Sequence, residues 1–132
     1  MISRRRLLPA VALALVVPLL AGCQALGINS VADTMYPNLE KANESSDAVR
    51  IPDLVPDDAR GIRLAYNTLD EGQVMAFTSE GGLTAEYCEE GAVAGDPTPV
   101  PGWWSTEELP REGWSCGDWS VVDEGDRFLV WD

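Results

Sequence analysis

Hydrophobic and polar positions divide the chain into three regimes. From Leu7 to Leu20 the residues are uncharged and almost all apolar, with Pro9 and Pro18 inside the run. From Gln24 to about Arg50 no period holds. Asn29, Ser30, Asn38, Asn43, Ser45 and Ser46 interrupt every apolar pattern, and Pro37 opposes a continuous helix between Val31 and Ala48. This segment reads as a flexible tether, which as a coil of about 27 residues would span roughly 30 Å. Beyond Ile51 alternation sets in. Ile62, Leu64 and Tyr66 alternate with Arg63, Ala65 and Asn67, the period of a strand. Val74 to Thr78 forms the partner run, and Leu69-Asp70-Glu71-Gly72 between them is a hairpin signal. A second hairpin is expected near the C-terminus. There Trp119 to Val122 and Arg127 to Trp131 flank the turn Asp123-Glu124-Gly125-Asp126.

Between the hairpins, Gly91 to Gly113 holds Pro97, Pro99, Pro101 and Pro110 with several Gly, too irregular for a helix or a central strand. Loops of this length inside a small domain are often functional. The expected fold is mainly β: a small antiparallel sheet of about four strands from two hairpins, stapled by a disulfide. A signal helix and a tether precede it. The expected division is residues 1–22 as signal peptide, 23–50 as modified N-terminus and tether, and 51–132 as the β domain.

The first regime has a function of its own. Arg4, Arg5 and Arg6 precede the apolar run and small residues close it, the pattern of an export signal. The run is shorter than the roughly 20 residues that cross a bilayer as a helix. Its end, Leu20-Ala21-Gly22-Cys23, resembles the lipobox of bacterial lipoprotein precursors. That resemblance implies cleavage before Cys23 and fatty acylation (palmitate and its like) through a diacylglycerol on the thiol. It also implies a lipid-anchored place on the extracytoplasmic face of the cell membrane. Two acyl chains hold a protein firmly where one binds only reversibly. Ser3-Arg4-Arg5-Arg6-Leu7-Leu8 also resembles a twin-arginine export signal. The resemblance covers residues 1 to 23. The chain is similar in style to small actinobacterial lipoproteins, a group that brings no activity with it.

Charge and cysteines narrow the partners. Removing 22 residues leaves 110, enough for one domain. The leader takes three of nine basic residues and none of the 22 acidic ones, so the charge falls from −13 to −16. A nucleic-acid partner is excluded, because its electrostatic footprint is a basic patch. Anionic headgroups repel such a domain. Basic proteins, cationic ligands and divalent cations stay open beside plain solubility. With Cys23 assigned to lipid, Cys88 and Cys116 remain, and in an oxidising compartment the default is a disulfide between them.

Candidate chemistry centres on the proline-rich loop. Trp103 and Trp104 are adjacent indoles that either plug an open sheet face or form a contact surface. Trp114, Trp119 and Trp131 are expected in the core. With Glu107, Glu108 and Asp118 nearby, the Trp pair fits a glycan platform or a partner surface. Glu89-Glu90 and Asp123-Glu124-Asp126 are dense acidic clusters, but the second lacks the calcium-loop pattern and reads as a solvated turn. Two Cys without any His make no metal site. No serine-nucleophile motif or phosphate loop is present. No cofactor and no enzymatic activity are expected. The leading expectation is an interaction domain for another envelope component, or alternatively a glycan- or cation-binding module.

Overall fold

The computed structural model describes residues 30–105 and 107–132. The expected signal peptide, the Cys23 anchor and the first part of the expected tether lie outside the described residues. Among those residues, seven strands form one antiparallel sheet: β1 (Val31–Asn38), β2 (Arg60–Asn67), β3 (Gln73–Thr78), β4 (Cys88–Ala92), β5 (Glu112–Cys116), β6 (Trp119–Asp123) and β7 (Phe128–Trp131). Helix α1 (Leu39–Glu44) and a 3-10 turn (Ala48–Arg50) connect β1 to β2.

The strand order is β1-β2-β3-β7-β6-β5-β4. Two up-and-down runs, β1 to β3 and β4 to β7, are joined where β7 pairs with β3 through Val74 with Trp131 and Phe77 with Phe128. The two expected hairpins, β2–β3 and β6–β7, are therefore the four central strands. Their burial explains their apolar runs. Val74 to Phe77 and Phe128 to Trp131 are buried on both faces of the sheet.

One face carries Ile62, Leu64, Met75, Phe77, Val121 and Val130, and residues between Leu39 and Ala59 cover it together with Leu83 and Ala85. The other face carries Ala65, Val74, Ala76, Val122, Leu129 and Trp131. The loop after β4 covers that side with Val93, Trp103, Trp104 and Leu109. Burying both faces is what lets so short a chain hold a core.

The sheet has seven strands, not about four. The three additional strands lack a hydrophobic signature because they lie toward the margins. The segment expected as a tether supplies β1, α1 and the 3-10 turn, so the sheet begins at Val31 rather than near Ile51. β1 is an edge strand whose residues alternate only between exposed and half-buried. An edge also tolerates Pro37, whose missing N–H would break an interior ladder. Strand β4 is the opposite edge, and Glu89 to Ala92 are all exposed. β5 approaches β6 so closely at Gly113 that a Cβ there would collide with the Val121 carbonyl oxygen.

The disulfide forms as expected. Cys88 and Cys116 are directly opposed in the β4–β5 ladder, with Cα atoms 4.2 Å apart. Their bond closes a 28-residue span whose interior is the proline-rich loop. That loop, read as one irregular stretch, begins and ends as the paired strands β4 and β5.

Candidate functional site

Trp103 and Trp104 hold different positions. Trp104 is only 6% exposed and lies on the sheet beside Trp131, edge to face with centroids 6.3 Å apart. Its backbone N–H donates to the Pro101 carbonyl at 3.0 Å, which turns the chain inward after the prolines. Trp103 is half-buried and edge-on to Trp104 at 5.9 Å. Its indole N–H donates to both carboxylate oxygens of Asp33 on β1, at 3.0 and 3.1 Å. The Arg63 guanidinium lies 5.9 Å from the Trp103 ring centre, within cation–π range. Trp104 is thus core lid, and Trp103 spans from that lid to the edge strand with its polar group already bonded.

Further along the loop, Glu107 and Glu108 are exposed. They line an open groove of about 770 Å³ whose opposite wall is the β6–β7 turn, Asp123 to Arg127. Two acidic clusters that the sequence separates by some fifteen positions therefore share one concavity. Trp104 forms part of its floor. Asp118, also considered with the Trp pair, belongs instead to a groove beside the β2–β3 turn.

The acids of the groove are not equivalent. Glu124 is held by Arg127 at 2.8 Å, and its side chain is 18% exposed. Burial alone would raise its pKa. Hydrogen bonds from Ser105 and Arg127, with the Arg127 charge, outweigh that and leave it below the ordinary glutamate value. Asp123 accepts from the Gly125 N–H at 2.7 Å and shapes its own turn. Glu108 makes a fully solvated pair with Arg111 at 3.5 Å, which contributes little. Among the described residues no group of three or more His, Cys, Asp or Glu is arranged to hold a metal ion. Chemically, the groove is a cation-attracting surface with one internal ion pair.

A second polar cluster is barely signalled in the sequence. Asp47 is 6% exposed, yet its carboxylate accepts from the hydroxyls of Tyr36, Thr34 (3.3 Å) and Tyr66 (3.2 Å). Its own N–H donates to Ser45 at 3.1 Å. Arg50 stacks on the Tyr66 ring at 3.6 Å. These contacts fasten β1 and β2 to the 3-10 turn. Only the alternation of Thr34 and Tyr36 along one face of a strand hints at the cluster, and β1 is not legible as a strand.

Comparison of the chain with protein-family models, with curated proteins and with solved structures finds no match. The reading of function therefore stands on the residues themselves.

Proposed function

We propose that this protein is a non-enzymatic, extracytoplasmic lipoprotein, anchored in the cell membrane through Cys23, that presents its β domain to another component of the cell envelope. The observation that carries this is the ordered series Arg4-Arg5-Arg6, the apolar run to Leu20, and Leu20-Ala21-Gly22-Cys23. The Cys88–Cys116 bond supports it, since such bonds persist in oxidising compartments. The strong acidity favours a partner with a basic surface.

The test is metabolic labelling with an alkyne palmitate, followed by crosslinking in intact cells and mass spectrometry. Label on the wild-type chain, its loss in Cys23→Ser, and one dominant envelope protein crosslinked to the domain are the expected results. A wild-type chain that carries no acyl label and leaves the membrane fraction overturns the anchor. Label without any protein crosslink overturns the partner.

A second reading, a glycan- or cation-binding module, draws on the groove shared by Glu107, Glu108 and the Asp123–Arg127 turn. Trp104 is the aromatic residue that lines this groove, and at 6% exposure it offers little of its ring, while Trp103 lies outside the lining. Titration with wall glycan or calcium tests it through Trp fluorescence, and an unchanged spectrum with both counts against it.

A further inference from the structure

The two margins of the sheet differ. Strand β4, at one of them, is five residues long and carries Glu89 and Glu90. Its Cys88 N–H already donates to the Ala85 carbonyl at 3.2 Å. Short, charged margins are a device by which sheets avoid adding strands. Strand β1, at the other margin, runs eight residues with Asp33 as its single charged side chain. Among the described residues its one strand neighbour is β2.

Parity fixes which groups of β1 are free. One step before the first register pair, Val31 with Asn67, the Thr68 N–H donates to the Ser30 carbonyl at 2.6 Å. From that pair to Tyr36 with Ile62 the register holds without a shift. Hydrogen-bonded and non-hydrogen-bonded pairs alternate along an antiparallel ladder. Ala32, Thr34 and Tyr36 therefore bond toward β2, while Val31, Asp33 and Met35 turn their N–H and C=O groups away from the sheet. Pro37 continues the outward set, so its missing N–H interrupts nothing on the β2 side.

The outward residues also share one face. Asp33 meets the Trp103 indole there, and Val31 and Met35 lie two residues to either side of it. Val31 is 38% and Met35 61% exposed. Arg63 stands opposite Met35 in the register, and it is the residue whose guanidinium approaches the Trp103 ring. The margin thus offers free ladder groups and, along one face, an apolar–acidic–apolar series.

We infer that β1 takes an extended segment of the partner protein as a further strand of the sheet. That segment carries a basic residue opposite Asp33, between apolar residues opposite Val31 and Met35. The inference deepens the partner reading above and rests on it. In strand addition the main-chain bonds give affinity and alternate side chains give selectivity. Opposite charges facing each other across a ladder stabilise it, and like charges destabilise it. A second copy is the wrong occupant for that reason. Pairing β1 with its own antiparallel copy so that Val31 meets Met35 sets Asp33 against Asp33, between two strongly acidic chains.

The probe is the synthetic peptide Thr-Val-Thr-Lys-Thr-Val-Thr, with Glu in place of Lys as its control. Each is added at millimolar concentration to the full chain in detergent micelles, and amide exchange is read residue by residue by NMR. The Lys peptide should slow exchange several-fold at Val31, Asp33 and Met35. Ala32, Thr34 and Tyr36, already paired, should not change. Equal slowing by both peptides, slowing without that alternation, or none at all overturns the inference. Met35→Pro removes one outward N–H and no bond to β2, so it should abolish the effect while β3 and β7 amides keep their protection. Asp33→Lys decides independently, because it should reverse the preference in favour of the Glu peptide. An unreversed preference overturns the inference. In intact cells, Met35→Pro should keep the acyl label and lose the crosslinked partner. A partner kept by Met35→Pro overturns the strand addition and leaves the anchored reading standing, whereas no partner on the unsubstituted chain overturns both.

Discussion

The Trp103 indole N–H and the Asp33 carboxylate, seventy positions apart in sequence, meet at 3.0 Å and join the proline-rich loop to the edge strand. The bond is exposed, so its net contribution is about 0.5–1.5 kcal/mol. A double-mutant cycle of Asp33→Ala with Trp103→Phe should return a coupling of that size in denaturant melts. Additive effects of the two changes would show that the contact contributes nothing. Trp104→Ala is a different case, since it empties a buried position against Trp131. A cost of about 3–5 kcal/mol is expected there, well above that of Trp103→Ala.

Asp47 offers a second measurement. Removing its carboxylate leaves the Tyr36, Tyr66 and Thr34 hydroxyls without their shared acceptor. Asp47→Ala should lower stability by about 1–3 kcal/mol, while Tyr66→Phe, which removes a single donor, should cost less. If Asp47→Ala proves neutral in urea unfolding, the cluster is not what fastens β1 to the 3-10 turn.

The disulfide closes 28 residues, for which the chain-entropy account gives about 3–4 kcal/mol. Cys88→Ala with Cys116→Ala should lose stability of that order. Because β4 is otherwise a solvated edge strand, its amides at 89–92 should lose protection before those of β3 and β7. Uniform loss across the sheet would mean that the bond stabilises the whole domain evenly.

Acid should weaken the groove wall. Glu124 lies below its ordinary value when folded, so the unfolded chain binds more protons in the window between the two pKa values, and stability rises with pH there. The contribution is complete above the unfolded value of about 4.3 and is lost as pH falls through the lower folded one. Asp58, lowered by the Ser79 hydroxyl and the Gly81 N–H, acts in the same direction. Falling charge repulsion in an acidic chain works oppositely, so the comparison with Glu124→Gln isolates the effect. Between pH 5 and 3, wild type should lose more stability than Glu124→Gln, as read from thermal melts at each pH. Parallel losses would remove Glu124 from this role.

Which features were legible follows from how local they are. Strands β2, β3, β6 and β7 declare themselves because each hairpin carries its own turn chemistry and an apolar run. The cysteine pair follows from a count of three with Cys23 expected to be set aside for lipid. Strand β1 is hidden, since an edge strand with Asp33, Thr34 and Pro37 looks like spacer until β2 pairs with it. The sequence also left open whether the Trp pair is lid or surface. The fold splits the two indoles, burying Trp104 and linking Trp103 to Asp33.

The sequence by itself determined the mainly β class, the two central hairpins, the disulfide partners and the strongly acidic charge. Each depends on residues near one another in the chain or on composition alone. Tertiary structure decided the seven-strand order, the covering of both sheet faces and the meeting of Glu107 and Glu108 with the Asp123–Arg127 turn. The physical reason is that these features arise when distant segments pair and bury surface together, and no short stretch of chain carries a record of its partner.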